Sequence, residues 1–199
     1  MRRFAVTHDY LCPFARNAAE VVVRALEADS RLDVGFRAFS LSQVHLEEEA
    51  PPVWRPEAEP ASGVLALQWG LAVRDELPER FPAVHLALFA ARHDQGQDIN
   101  DPEVLAGAVA AAGVDPDEVA KLVAGGGPAA ALAADHTWGA DGSRVFGVPT
   151  FVTDRRAVFV RLMDRPGSPT EARDTLDRVL ALVDGWADLN EFKATVIPR

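Results

Sequence analysis

The chain has 199 residues, 48% of them hydrophobic, and a formal net charge of −10; that length suits one domain, or one domain carrying a large insertion, with a substantial core. The acidity disfavours nucleic acid, because phosphate contacts need clustered Lys and Arg and the arginines here are scattered singles such as Arg24, Arg37, Arg74 and Arg92. No apolar run has the length of a membrane span or of a secretory signal core, and the one cysteine, Cys12, allows no internal disulfide, so a reducing cytoplasmic setting without membrane is expected.

Residues 3–7 read as a short apolar strand, followed by a tight turn and then by Cys12 and Pro13. Proline fits the first turn of a helix, where its missing N–H would have had no partner. From Phe14 on, Ala18, Val22 and Leu26 recur at four-residue spacing beside Ala15 and Ala19, which marks one face of a helix over residues 13–28. Cys12 therefore stands at or next to the helix N-cap, where unpaired N–H groups and the positive end of the helix dipole stabilise an anion. The expectation is a thiol that loses its proton more readily than a free one, the thiolate being the nucleophilic form. The competing reading is an inert, buried small hydrophobe. His8, four residues earlier, is a weaker candidate for proton transfer, with a strand-end surface position as its plainer reading. Asp9 is expected to hold the turn into the helix.

Residues 33–39 alternate, with Val34, Phe36 and Ala38 on one face, as a second strand, and strand–helix–strand within this length implies a parallel pair. Residues 41–60 hold Pro51, Pro52, Pro56 and Pro60 and read as an irregular connection; His45 beside Glu47, Glu48 and Glu49 is taken as solvated surface rather than a metal site. From residue 62 to about 138 the chain turns alanine-rich and helical. Val64, Leu65, Leu67, Leu71 and Val73 mark one helix, and Val84, Leu86, Leu88 and Phe89 a second. Asp101-Pro102-Glu103 opens a third, which Gly113 closes, and Asp115-Pro116-Asp117-Glu118 opens a fourth with Glu118 placed to complete a capping box. Gly125-Gly126-Gly127 ends that helix; no Gly-Lys-Ser/Thr follows, so it is a terminator and not a phosphate loop. Residues 129–135 begin a fifth. His85 and His93 are eight residues apart and cannot clasp one ion, and no metal site is expected. Trp69 is a core residue unless the helical block roofs over Cys12, in which case it lines a pocket.

Residues 143–152 lead through Gly147, Val148 and Pro149 into a short apolar strand, where a proline sits only at a strand start, an edge or a special turn. The Val148–Pro149 bond is a candidate for cis. Asp154-Arg155-Arg156 turns the chain and residues 157–161 return as an antiparallel strand. Ser168-Pro169-Thr170-Glu171 is a capping box opening a last helix along Ala172, Leu176, Val179, Leu180 and Val183, ended by Gly185; residues 186–199 receive no assignment. The order βαβ, helical block, ββα implies an α/β fold, a mixed four-stranded sheet flanked by helices with an all-α subdomain inserted in the middle.

Three features together, Asp9-Tyr10-Leu11-Cys12-Pro13-Phe14-Ala15, Phe146-Gly147-Val148-Pro149-Thr150-Phe151 and the helical block between them, resemble the DsbA-like branch of the thioredoxin superfamily. The likeness is to cytoplasmic actinobacterial-type members, whose cousins include thiol-dependent nitroreductases, kappa-class glutathione transferases and 2-hydroxychromene-2-carboxylate isomerases. It implies a thioredoxin-like domain over residues 1–60 and 139–199, with a helical subdomain over 61–138. It makes Cys12 the nucleophile, supported by Pro13, Phe14, Ala15 and Val148, with Pro149 as the cis-proline packed against the sulfur. The backbone of Val148 would be exposed to pair with a bound thiol or peptide, as in strand addition. Tyr10, Phe14 and Trp69 are expected to line a pocket walled by the insertion. The departure is Ala15, which stands where the family's second cysteine would be and cannot resolve a mixed disulfide.

The leading expectation is a monothiol oxidoreductase, thiol-dependent reductase or transferase. It would hold no tightly bound cofactor, use mycothiol or glutathione as co-substrate, and act on a small-molecule or protein disulfide. A thiol-dependent isomerase or glutathione transferase-like enzyme is one alternative, and a redox-silent module that binds a peptide at Val148–Pro149 another. A homodimer is compatible with the family, although no interface is legible.

Overall fold

The computed structural model describes residues 2–28 and 31–191, so the unassigned tail beyond residue 191 lies outside them. Strand β1 (Arg2–His8), helix α1 (Pro13–Ala28) and strand β2 (Leu32–Ala38) come first, then a four-residue helix α2 (Leu41–Val44). Five helices follow: α3 (Val64–Glu76), α4 (Phe81–His93), α5 (Pro102–Ala111), α6 (Pro116–Ala124) and α7 (Gly127–Thr137), the last continued by one π-helical turn at Trp138–Gly142. Strands β3 (Thr150–Val152) and β4 (Ala157–Phe159) and helix α8 (Pro169–Gly185) complete the order.

The strands form one mixed sheet in the order β2-β1-β3-β4. β1 runs parallel to β2, with Val6 opposite Phe36, and antiparallel to β3, with Val6 opposite Phe151; β3 and β4 are antiparallel. A parallel pair needs a crossover, and α1 supplies it. Buried Ala15, Ala18, Ala19, Val22 and Ala25 of α1 pack with buried Ala172, Leu176, Val179, Leu180 and Val183 of α8, so the two helices lie against each other. Small alanines on α1 allow that close approach.

The sequence-derived caps form, with changes in detail. Asp101 and Asp115 accept hydrogen bonds from the N–H groups of Glu103 and Asp117, so α6 is capped by its aspartate alone and not through a Glu118 capping box. Ser168 accepts from Glu171 N–H, while the Glu171 carboxylate accepts from Gly167 N–H. Ser40 caps α2, a short helix inside the stretch read as irregular.

The helical block shares its core with the sheet. Phe36 of β2 meets Phe81 and His85 of α4 at ring-centroid distances of 5.3 and 5.2 Å, and His8 of β1 meets His85 at 4.5 Å. Gly70 of α3 lies so close to Tyr10 that a Cβ there would enter the tyrosine hydroxyl and come within 3.1 Å of the ring. Buried Asp135 of α7 binds Arg37, Arg74 and the N–H of Ala38, which ties α7 and α3 to the end of β2.

Candidate active site

Cys12 sits in the half-turn that joins β1 to α1. Its N–H donates to the carbonyl of Asp9 at 3.0 Å, and its own carbonyl accepts the first helical bond, from Arg16 N–H at 3.1 Å. The Asp9 side chain holds the turn, as its residue type suggested. One oxygen accepts from Leu11 N–H at 2.9 Å and the other from Leu41 N–H at 2.7 Å. Burial raises the Asp9 carboxyl to about 6 despite those two bonds.

The sulfur donates to the backbone carbonyl of Val148 at 3.3 Å, across 136 residues of sequence. Val148–Pro149 is a cis peptide, so the helix start and the Pro149 loop meet at the thiol. Thr150 shapes that loop: its hydroxyl donates to Gly147 O at 2.7 Å and its N–H to Thr7 Oγ1 at 2.9 Å. Pro149 O accepts from Val160 N–H at 3.1 Å. Val148 departs from its expected exposure. The residue is 3% exposed and its carbonyl is engaged by the thiol, while its N–H meets no acceptor among the described residues.

The thiol also departs from the expectation of easy ionisation. Backbone N–H groups of Ala15 and Phe14 do point at the sulfur and favour the anion, as does the charge of Arg161, but burial outweighs them and pushes the thiol up. Cys12 is 8% exposed, and burial that excludes water disfavours a bare thiolate more than two N–H dipoles favour it.

His8, Tyr10 and Trp69 are elsewhere than expected. His8 is 3% exposed, inside the protein and not at a surface strand end. Burial and the positive charge of Arg74 lower its pKa to about 3, so it is neutral and holds no proton to give as an imidazolium. Tyr10 is fully buried, its hydroxyl 2.9 Å from Nδ1 of His85 and its ring 4.7 Å from that of Phe89. Trp69 is 4% exposed. Tyr10 and Trp69 are core, because a helical insertion that packs directly on the sheet consumes its inward aromatics. Two cavities, of about 470 and 620 Å³, lie along α8 and between α4 and α5, and neither of these is lined by Cys12, Phe14 or the Pro149 loop.

What does face solvent beside the thiol is a small aromatic surface. Phe14 is half-buried; Phe146 is 72% exposed and 5.4 Å from Phe159. The guanidinium of Arg161 lies over Phe14 at 5.3 Å and over Phe159 at 5.9 Å. Asn17 of α1 donates to the carbonyls of Leu162 and Met163 at 2.9 and 3.1 Å, which fastens this segment to the first turns of the cysteine helix. Sequence reasoning missed Arg161, just after β4, Asn17 of α1 and Thr7 of β1; each is ordinary until the fold brings it to Cys12 or to the loop against it. No group of three or more His, Cys, Asp or Glu among the described residues could hold a metal ion.

Residues 6–165 match the family model of the DSBA-like thioredoxin domain. Among solved structures, a probable DsbA oxidoreductase from Streptomyces coelicolor shares 19% identity over 98% of this chain and 94% of its own, with a TM-score of 0.64. The cytosolic disulfide reductase DsbM from Pseudomonas aeruginosa, solved with GSH, shares 19% over 90% of this chain and 100% of its own, also at 0.64. The oxidoreductase DsbA from Xylella fastidiosa shares 17% over 92% and 86%, at 0.59. These likenesses concern the fold. No curated protein matches the sequence significantly.

Proposed function

Because this chain belongs to the DSBA-like thioredoxin domain family, we propose that it is a monothiol thiol–disulfide oxidoreductase or thiol-dependent reductase, with Cys12 as nucleophile and an external low-molecular-weight thiol in place of the second cysteine. One observation carries this reading: the chain's only cysteine is the residue at which the α1 N-terminus and the Pro149 loop meet, 3.3 Å from the Val148 carbonyl. Ala15, 1% exposed, fills the position where the family's resolving cysteine would stand.

The steps balance without any further oxidant or reductant. The Cys12 thiolate attacks one sulfur of a disulfide; a Cys12–S–S–R bond forms, and the other sulfur leaves as a thiolate. A second low-molecular-weight thiolate then attacks the R sulfur, releasing a new disulfide and regenerating Cys12 as thiolate. Glutathione and mycothiol are the candidate thiols, and a small-molecule or protein disulfide the substrate. A reducing compartment such as the cytoplasm suits a chain with one cysteine.

Burial holds the thiol above its ordinary pKa, so its thiolate is a strong nucleophile but a poor leaving group. Reversal and release by the second thiol both expel Cys12 from the R sulfur, so the mixed disulfide accumulates and its cleavage limits turnover. The N–H of Val148, which meets no acceptor among the described residues, is the group a partner's main chain would bond once the residue, buried here, is uncovered.

Intact mass after exposure to oxidised glutathione or oxidised mycothiol tests the reading. One added thiol per chain, absent in Cys12→Ser, is expected, with loss of disulfide-reductase activity in that variant. The burial of Cys12 favours a second reading, a redox-silent module that binds a peptide beside Val148. In that case Cys12 is modified only on unfolding and Cys12→Ser binds the peptide as well as the native chain does.

A further inference from the structure

We propose that Arg161 is an anion receptor beside Cys12, recognising a carboxylate of the partner thiol or disulfide, so that this site takes carboxylate-bearing partners of the glutathione class in preference to neutral ones. The inference rests on the proposed thiol exchange at Cys12 and adds the specificity of that same site.

Two cations on or beside α1, Arg16 and Arg165, are already engaged. Arg16, in the first turn of α1, binds the Asp94 carboxylate and the Asn17 side chain. Arg165, four residues beyond Arg161, is held by Glu20 and Asp94. Among the described residues, by contrast, no carboxylate, carbonyl or hydroxyl meets the guanidinium of Arg161. It is exposed and retains its full donor fork, which matches a carboxylate in bidentate fashion.

This free cation is also built into place. Two aromatic faces, Phe14 and Phe159, lie 5.3 and 5.9 Å from its Cζ, and cation–π attraction holds a guanidinium there while leaving its edge open. The two bonds from the Asn17 amide to Leu162 and Met163 fix the chain just beyond it. Phe14 follows Cys12 by two residues, and the charge of Arg161 is felt at the sulfur. Exposed Phe146, its ring tilted by 45° against that of Phe159, continues the surface toward Val148. A partner docked at Val148 would thus have its reacting sulfur at Cys12 and a carboxylate within reach of Arg161. In a chain of net charge −10, a local cation beside the thiol favours the approach of an anionic partner.

The test compares glutathione disulfide with the disulfide of glutathione diethyl ester, which has the same reacting sulfurs but both carboxylates of each half masked. Rates of adduct formation at Cys12 are read by mass for the native chain and for Arg161→Met, in which an apolar stem still covers Phe14. Loss of the charge beside the thiol slows both reagents alike, so the readout is the ratio of the two rates. Losing one charge-assisted contact is expected to lower the preference for glutathione disulfide about tenfold or more, and Arg161→Lys is expected to recover part of it. An unchanged ratio would overturn the proposal and leave thiol exchange standing. If neither reagent modifies native Cys12, the exchange reading fails by itself. The receptor is then decided by calorimetry of S-methylglutathione against its diethyl ester on Cys12→Ser, with and without Arg161→Met. Tighter binding of the free acid, lost in the double variant, supports the receptor; equal binding of acid and ester, or no binding, overturns it.

Discussion

At the scale of single residues, the chemistry of this protein is decided by burial working against local dipoles. Cys12 has the position that lowers a thiol pKa, with two N–H groups of α1 aimed at it, yet the wall around it raises the pKa. Alkylation of Cys12 followed against pH is therefore expected to show a midpoint above the ordinary value of about 8.5, and Arg161→Met is expected to move it further up. A midpoint below that of free cysteine contradicts this balance. His8 and His85 are subject to the same effect with the opposite charge, both held neutral by burial. In the unfolded chain each binds a proton below its ordinary pKa of about 6.5; folded His8 does so only near 3, and folded His85 only well below 6.5. The unfolded state thus binds more protons, and stability falls as pH drops below about 6.5. Asp9 opposes them: its folded pKa of about 6 lies above its unfolded one, so its stabilising effect is greatest at low pH and is lost as pH rises toward 6. Urea unfolding between pH 7 and 5 should show stability decreasing on acidification, and His85→Phe should make that slope shallower by up to about 1.4 kcal/mol per pH unit. An unaltered slope would mean that His85 is not kept neutral by the fold.

At the scale of elements, close approach and capping decide more than propensity. Gly70 stands mid-helix, where alanine is favoured by about 1 kcal/mol. Here a Cβ would strike the Tyr10 hydroxyl, and Tyr10 is fixed by His85, Phe89 and Gly70 itself. Gly70→Ala is therefore expected to destabilise the protein by about 1–3 kcal/mol in chemical denaturation, the reverse of the helix-propensity expectation. Asp101→Ala and Asp115→Ala each remove one N-cap acceptor and should cost about 1 kcal/mol apiece. The caps were legible because a cap is a local contact between a side chain and an N–H two or three residues away. The role of Gly70 was not, since its steric partner lies sixty positions earlier in the chain, on the turn before Cys12.

At the scale of the whole molecule, the helical block and the sheet are one packed body around shared residues. His8 and Tyr10 of the sheet side meet His85 and Phe89 of α4, Phe36 meets Phe81, and Asp135 of α7 is bonded to Arg37, Arg74 and Ala38 N–H. Replacing residues 61–138 by a short Gly/Ser linker would uncover that face of the sheet and leave Arg37 and the Ala38 N–H without their carboxylate. The shortened chain is expected to lose cooperative unfolding and near-UV circular dichroism. A native-like, cooperative transition would show that residues 1–60 and 139–199 form a self-sufficient domain.

Read from the sequence alone, the order of the strands and of every helix but the short α2, most of the caps, the Cys12-Pro13 junction and the Gly-Val-Pro-Thr-Phe loop were accessible, because each is written in residues within a few positions of one another. Periodicity, proline and glycine act over one or two turns of chain. Three things belonged to the tertiary structure: the burial that raises the Cys12 thiol, the enclosure of Tyr10, Trp69 and His8, and the arrival of Arg161 beside the sulfur. Each depends on which distant surfaces exclude water from a group or bring a charge to it. Desolvation and through-space attraction are set by three-dimensional neighbours and leave no local mark on the chain.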